Sequence, residues 1–180
     1  MFGLALIFLF SQIVEAAPLP TTSTSKVASQ RSSILKSTHG FTLDPKGTDW
    51  GLELPERESE GFQAQFRQSG SESLFTVRVD EAKGVRSMEA YQKKWPLLYR
   101  RLGFQVLDEG REIRNGEEIG VVDLLSPNDR RRLRQYIFFR RPVVIIFTCS
   151  DTETSFGATK EDCEQLLRSF RWDTIPKTPT

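Results

Sequence analysis

The feature that most constrains the fold is the apolar run VVIIF at residues 143–147. Successive side chains of a β-strand point to opposite faces of the sheet, so a run that is apolar at every position has no face suited to water. We therefore predict a strand over 143–149 at the centre of a sheet, with other elements covering both of its faces.

Two segments have the periodicity of helices. In the first, apolar residues recur at intervals of three and four, which predicts one helix with a buried face made of Met88, Tyr91, Trp95, Leu98 and Leu102. Ser87 is a suitable N-cap and Gly103 a suitable stop. Pro96 lacks a backbone N–H, so we expect it to kink this helix.

The second helix is predicted to start at Thr159 as its N-cap, with Asp162 completing a weak capping box. Its buried face carries Cys163, Leu166, Leu167 and Phe170.

Alternating apolar and polar residues predict an antiparallel hairpin from strands near 62–67 and 75–79. Asn115-Gly116 predicts a tight turn between strands 104–113 and 119–125, and a further strand covers 133–139. The order is strands, helix, meander, helix. We therefore predict an α+β fold, an antiparallel sheet with helices packed on its faces.

The N-terminus is predicted to be a signal peptide, residues 1–16, because the apolar run at 2–10 is followed by small residues and a cleavage site after Ala16. The usual positive charge before the run is missing, and the alternative is a buried N-terminal helix. Residues 17–39 are rich in Ser and Thr, which predicts a flexible linker, and 174–180 a disordered tail. The folded domain is then 40–173, periplasmic or secreted, without stable membrane insertion after cleavage.

The charge balance gives no preference for nucleic acid, since 25 Lys and Arg face 24 Asp and Glu. The chain has one histidine, His39, and no recognisable nucleophile–base pair or metal-ligand spacing. We accordingly assign no catalytic, cofactor-binding or metal-binding residues and expect no cofactor.

The two cysteines, Cys149 and Cys163, lie at the end of the central strand and on the predicted inner face of the second helix. In an oxidising compartment an even number of cysteines in this placement predicts a disulfide. The alternative is a pair of buried free thiols.

Arginines are concentrated at both ends of the strand predicted over 133–139. A guanidinium group suits carboxylate and phosphate, so they are candidates for binding an acidic partner. The alternative is a solvated turn with a sheet edge kept soluble by charge. These candidate residues are Arg130, Arg131, Arg132, Arg134, Arg140 and Arg141.

Several local patterns occur together in a fixed order. They are Phe41, Pro45 and Trp50, then Tyr91, Trp95 and Gly103-Phe104, then Asn115-Gly116 and Gly120, then Arg134-Gln135-Tyr136, the run 145–150, and Ser169-Phe170-Arg171-Trp172. In this order and spacing the chain resembles the PsbP-like superfamily over most of residues 40–172. The resemblance implies an α/β/α sandwich and members that bind proteins without catalysis, and it names no partner.

The sequence thus predicts a non-catalytic, exported binding or assembly module of the cell envelope with a protein partner. The alternative is a carrier or enzyme with a small-molecule pocket between sheet and helix. The partner and the oligomeric state stay open.

Overall fold

The computed structural model describes residues 34–55 and 61–173. The predicted signal peptide, most of the predicted linker and the predicted tail lie outside the described residues. Within these ranges the main sheet has seven strands, and every neighbouring pair is antiparallel. The strands are β3 (Trp50–Glu53), β4 (Phe62–Gln68), β5 (Leu74–Glu81), β6 (Gln105–Arg114), β7 (Glu117–Leu125), β8 (Arg131–Arg140) and β9 (Val143–Thr152).

A smaller three-stranded sheet joins the two ends of the described chain. It contains β1 (Leu35–Ser37), β2 (Phe41–Leu43) and β10 (Arg171–Trp172), with β2 in the middle. The helices are α1 (Met88–Gln92), α2 (Trp95–Arg101) and α3 (Phe156–Leu167).

The apolar strand β9 lies at the centre of the main sheet, as predicted. The strand order is β3-β4-β5-β9-β8-β7-β6, so three strands flank β9 on each side. Val144, Ile145 and Phe147 are completely buried. The prediction that both faces of this strand are covered is confirmed.

Two apolar cores lie on the two faces of the main sheet. On one face, α3 and the small sheet cover a core that includes Phe41, Phe75, Phe147 and Phe170. On the other face, α1 and α2 cover a core around Ile137. The predicted α+β class with helices on both faces is therefore confirmed.

The Asn115-Gly116 turn has the backbone that its sequence predicts. Both residues have positive φ, 52° and 79°, and the turn pairs Arg114 with Glu117 in the β6–β7 hairpin. A two-residue loop of this type matches the twist of the strands it joins.

The boundary predicted between linker and domain is wrong by a few residues. Leu35–Ser37 forms β1, which pairs with β2, and the Leu35 side chain is buried in the core of the α3 face. In the sequence, Ile34-Leu35 is a short apolar pair among Ser and Thr residues and has no strand periodicity of its own. Only the pairing with β2 makes the segment Leu35–Ser37 a strand.

The single kinked helix predicted over 88–102 is two helices. Ser87 caps α1 as predicted, since its hydroxyl accepts a hydrogen bond from the Ala90 N–H. The helix then stops, and Pro96 lies in the first turn of α2. Proline is well tolerated there because the first N–H groups of a helix have no intrahelical partner.

The predicted start of the last helix is also wrong. α3 begins at Phe156 after Ser155, so Thr159 lies inside the helix. The Thr159 side chain is buried and donates to Asp151. Asp162 accepts a hydrogen bond from Gln68 Nε2 at 2.8 Å and forms no capping box.

Candidate functional site

Cys149 and Cys163 form the predicted disulfide. The S–S distance is 2.10 Å, the two Cα atoms are 6.0 Å apart, and both side chains are completely buried. The bond joins the centre of the main sheet to α3. The alternative of two free thiols is therefore wrong for this structure.

A buried polar cluster lies next to the disulfide at the start of α3; we call Ser73, Asp151 and Thr159 the Asp151 cluster. The Asp151 carboxylate accepts hydrogen bonds from the Thr159 hydroxyl at 2.5 Å, the Ser73 hydroxyl at 2.8 Å and the Thr152 N–H at 2.6 Å. Burial acts to raise the pKa of Asp151, but these hydrogen bonds outweigh it and hold the pKa below its ordinary value. The cluster ties the residue just before β5 to β9 and α3.

The predicted arginines at the β7–β8 turn each contact a neighbour within the domain. Arg130 has positive φ, and its guanidinium lies 3.0 Å from the Glu153 carboxylate. Arg131 donates to the Glu72 carbonyl oxygen at 2.6 Å. Arg132 lies over the Phe156 ring, 5.1 Å from its centre. Among these three side chains, that of Arg130 is the most open to solvent.

Arg134 belongs to a charged group on the α3 face of the sheet. Its guanidinium lies 3.6 Å from Asp123 and 3.5 Å from Glu112, and its side chain is only 12% exposed. Burial raises the pKa of Asp123, and the positive charges of Arg134 and Arg132 oppose that shift. Since β8 lies between β7 and β9, these arginines do not protect a sheet edge, and that part of the alternative is wrong.

Arg140 and Arg141 lie at the opposite end of β8, so the six predicted arginines form two separate groups. Arg141 is exposed in the β8–β9 turn. Arg140 makes a cation–π contact with Trp172, and its guanidinium carbon lies 4.5 Å from the ring centre.

Arg140 borders an open cavity of about 460 Å³, which we call the Trp172 cavity. Of its lining residues, the sequence predicts only Arg140 as a binding residue. The other residues come from the β6–β7 turn, the end of β8 and the segment after α3. The lining consists of Asn115, Gly116, Glu117, Phe138, Arg140, Phe170, Arg171 and Trp172.

The helix break creates an apolar surface that sequence analysis missed. Leu97 and Leu102 are 61% and 59% exposed, and Leu98 is also exposed, although the helical pattern had put Leu98 and Leu102 on a buried face. In α2 the side chain that is buried is Tyr99, whose hydroxyl bonds Gln135. Pro96 within the pattern was the available signal, because proline is better suited to start a helix than to continue one.

Basic side chains surround these leucines. We define the α2 surface as Lys94, Leu97, Leu98, Arg100, Arg101 and Leu102, all of them exposed. Within the described part of the chain, no carboxylate lies within ion-pair distance of the three cations. An apolar patch with an unpaired basic border is typical of an interaction surface.

A second, smaller cavity lies between α1, α2 and the sheet, where the alternative hypothesis placed a pocket. Its volume is about 250 Å³, and its lining includes Trp95, Arg111 and Ile137. Gln92 occupies part of this region by donating to the Gly110 carbonyl oxygen at 3.1 Å. A Cβ on Gly120 would lie 2.4 Å from Gln92 Nε2, so glycine is what allows this close approach.

The described ranges contain no group of three or more potential metal-ligating side chains, and their helices are all too short or too polar to cross a bilayer.

Comparison with known proteins gives a match in structure alone. No protein-family model matches the chain, and no curated protein is significantly similar to it in sequence. The solution structure of cyanobacterial PsbP (CyanoP) from Synechocystis sp. PCC 6803 aligns with 85% of this chain and 99% of that chain, with a TM-score of 0.61 and 14% identity. PA94, a Pseudomonas aeruginosa protein of unknown function, aligns with 83% of this chain and 99% of its own, with a TM-score of 0.49 and 16% identity. The chain has a PsbP-like fold, which is the fold that the resemblance in its sequence implies.

Proposed function

We propose that this PsbP-like domain is a non-catalytic, exported binding module that engages a protein partner through the α2 surface. The observation that carries the proposal is the exposure of Leu97, Leu98 and Leu102. Most other large apolar residues of the domain are packed in one of its two cores. Large exposed apolar side chains that lie together mark binding surfaces more often than isolated ones do.

The charges of the α2 surface indicate the chemistry of the partner. Lys94, Arg100 and Arg101 border the leucines and have no carboxylate partner among the described residues. An apolar surface bordered by Asp and Glu would bury the leucines and pair with the three cations. We therefore propose a partner that presents such an acidic, apolar surface.

The buried polar groups and the cavity between the sheet and α1 and α2 favour a binding role. The most buried polar cluster in the described chain, the Asp151 cluster, has its hydrogen bonds directed at one another. The smaller cavity, at about 250 Å³, lies below the volume of about 300–1,000 Å³ that is usual for small-molecule sites. These observations favour the binding module over a carrier or enzyme that would use this pocket between the sheet and α1 and α2.

The disulfide supports export. Disulfides persist in oxidising compartments and are rare in the cytosol. A buried Cys149–Cys163 bond therefore fits a periplasmic or secreted protein.

The arginine turn, 130–134, is a second candidate surface for a protein partner. Arg130 favours it, since its side chain is 75% exposed even while it contacts Glu153. Exposed ion pairs contribute little to stability, so Arg130 can exchange Glu153 for a partner carboxylate at small cost.

Site-specific cross-linking in cells distinguishes the two surfaces. A photo-reactive amino acid is placed at Leu98, at Arg130 or, as a control, at the exposed Lys46 in the turn before β3. We expect a specific adduct from position 98, and its loss when Leu97→Gln and Leu102→Gln are added. Because both leucines are exposed, the two substitutions should change the free energy of unfolding by less than about 0.5 kcal/mol each.

Charge reversal then tests the chemistry of the captured protein in a purified pair. We expect Arg100→Glu with Arg101→Glu to weaken binding by at least about tenfold at low salt, with a smaller effect at high salt. Capture from position 130 alone would transfer the proposal to the arginine turn. Binding of the chain to anionic vesicles without any protein adduct would contradict it.

A further inference from the structure

The Trp172 cavity has no role in the proposed function, because it lies on the α3 face of the main sheet and α2 lies on the other. We propose that this cavity binds a carboxylate carried on an aromatic or large aliphatic group. The group would rest on the aromatic floor of the cavity, and Arg140 would bind the carboxylate.

The floor of the cavity is made of three aromatic side chains, and the Phe170 ring contacts the other two. The ring centres of Phe138 and Phe170 are 4.6 Å apart, and those of Phe170 and Trp172 are 5.3 Å apart. Phe138 and Phe170 are almost fully buried and belong to the core of this face, so they hold the partly buried Trp172 in place as the aromatic surface that a ligand can reach. A rigid apolar floor binds a second aromatic or aliphatic group by excluding water and by ring packing.

Trp172 also fixes the position of the binding group. Its indole Nε1–H donates to the Glu117 carboxylate at 2.9 Å, which orients the ring, and the Arg140 guanidinium lies 4.5 Å from the ring centre. A cation–π contact does not use up the hydrogen-bond donors of the guanidinium, so they are available to an acceptor. No carboxylate in the described part of the chain pairs with Arg140.

The charge of the cavity selects an anion. Its lining contains Arg140 and Arg171 against one carboxylate, Glu117, which already accepts the hydrogen bond from Trp172. Arg171 uses one nitrogen, Nη1, to donate to the carbonyl oxygens of Arg168 and Phe170. A carboxylate can accept two parallel hydrogen bonds from one guanidinium such as that of Arg140.

The cavity volume of about 460 Å³ lies within the range that is usual for small-ligand sites, and it is larger than the volume of a single carboxylate group. A carboxylate carried on an aromatic group occurs both at the C-terminus of a peptide that ends in Phe and in a free aromatic acid. The experiment therefore includes both sources.

The probes are N-acetyl-phenylalanine, its C-terminal amide, and a short peptide that ends in Phe with a free or an amidated carboxyl group. Binding to the full chain is measured by the shift of the Trp172 indole N–H signal in nuclear magnetic resonance spectra. We expect saturable binding of both free acids, and at least about tenfold weaker binding of both amides, because they lack the charge-assisted bonds to Arg140. Tighter binding of the peptide acid would identify a peptide terminus as the source, and equal binding a free acid.

Two variants of neighbouring arginines test the assignment of Arg140. Arg140→Gln should weaken binding of the acids by at least about tenfold, and the matched control Arg141→Gln, one residue on and outside the cavity, by less than about twofold. Glu117→Gln removes the negative charge of the cavity and keeps an acceptor for Trp172, so it should strengthen binding.

Three results would overturn the proposal. They are no shift of the Trp172 signal with any acid at millimolar concentration, equal binding of acids and amides, and equal effects of Arg140→Gln and Arg141→Gln. Loss of the α2 surface through Leu97→Gln and Leu102→Gln should leave acid binding unchanged, so this proposal and the proposed function fail independently.

Discussion

At the scale of single residues, Asp151 stays ionised in the interior because three donors surround its carboxylate. Ser73 and Thr159 donate through their hydroxyls and Thr152 through its backbone N–H. Transfer of a carboxylate from water is costly, and hydrogen bonds to the charged form offset that cost. Thr159, which looks like a helix cap in the sequence, is one of these donors.

We predict that Asp151→Asn lowers the free energy of unfolding at neutral pH by about 1–3 kcal/mol, because it weakens buried hydrogen bonds to a charged group. The pKa of Asp151 is lowered in the folded state, so its ionised form stabilises the fold above the ordinary Asp pKa of about 3.9. That contribution is lost as the pH falls through the lowered pKa of the folded protein.

Urea unfolding of both proteins at pH 7 and near pH 3 measures the difference, which should shrink at the lower pH. Glu161→Gln, an exposed carboxylate on α3, is the matched control and should stay within about 0.5 kcal/mol of the parent protein. An equal loss at both pH values for Asp151→Asn would contradict the assignment.

At the scale of elements, α3 is held on the sheet by one covalent bond and one apolar face. The disulfide joins Cys163 to β9, and the buried residues Phe156, Leu166 and Leu167 lie on the same side of the helix. α2 has a single fully buried side chain, Tyr99. The two helices therefore differ in role: α3 completes a core, and α2 presents a surface.

Reduction of the disulfide should destabilise the domain without removing the apolar face of α3. The bond closes a short loop, with a sequence separation of 14, and the chain-entropy model gives a contribution of about 3 kcal/mol for such a loop. Urea unfolding with and without a reducing agent measures it. Thiol labelling of denatured, unreduced protein from its native compartment should find no reactive thiol. Two reactive thiols per chain would exclude the bond there.

At the scale of the whole molecule, the two ends of the described chain meet in the small sheet. β2 pairs with β1 on one side and with β10 on the other, and the Asp173 N–H donates to the Gly40 carbonyl oxygen at 2.9 Å. Both ends of the described chain therefore lie at the same small sheet.

The export prediction belongs to this scale and concerns residues outside the described ranges. Signal peptidase requires small residues near the cleavage site, so Ala16→Asp should block cleavage after that residue. We expect the intact mass of the exported protein to correspond to a chain that starts at Ala17, and the variant to keep its N-terminus. Ser23→Asp, in the predicted linker, is the control. A parent protein that retains Met1 in the cytoplasm would contradict export.

The sequence by itself determined the features that depend on local chemistry and on apolar pattern. The central position of β9, the Asn115-Gly116 hairpin and the cysteine pair all follow from residues close together in the chain or from side chains with few alternatives. The general position of the helices followed from their periodicity, although their ends did not.

Only the tertiary structure decided which apolar side chains are exposed to solvent and which residues far apart in the sequence are in contact. Leu98 and Leu102 fit a helical face equally well whether or not the helix breaks, and the break is what exposes them. The Trp172 cavity joins a hairpin turn, the end of β8 and the segment after α3. Such contacts depend on strand order and on the packing of the whole domain, and a periodicity of two or of 3.6 residues carries no information about them.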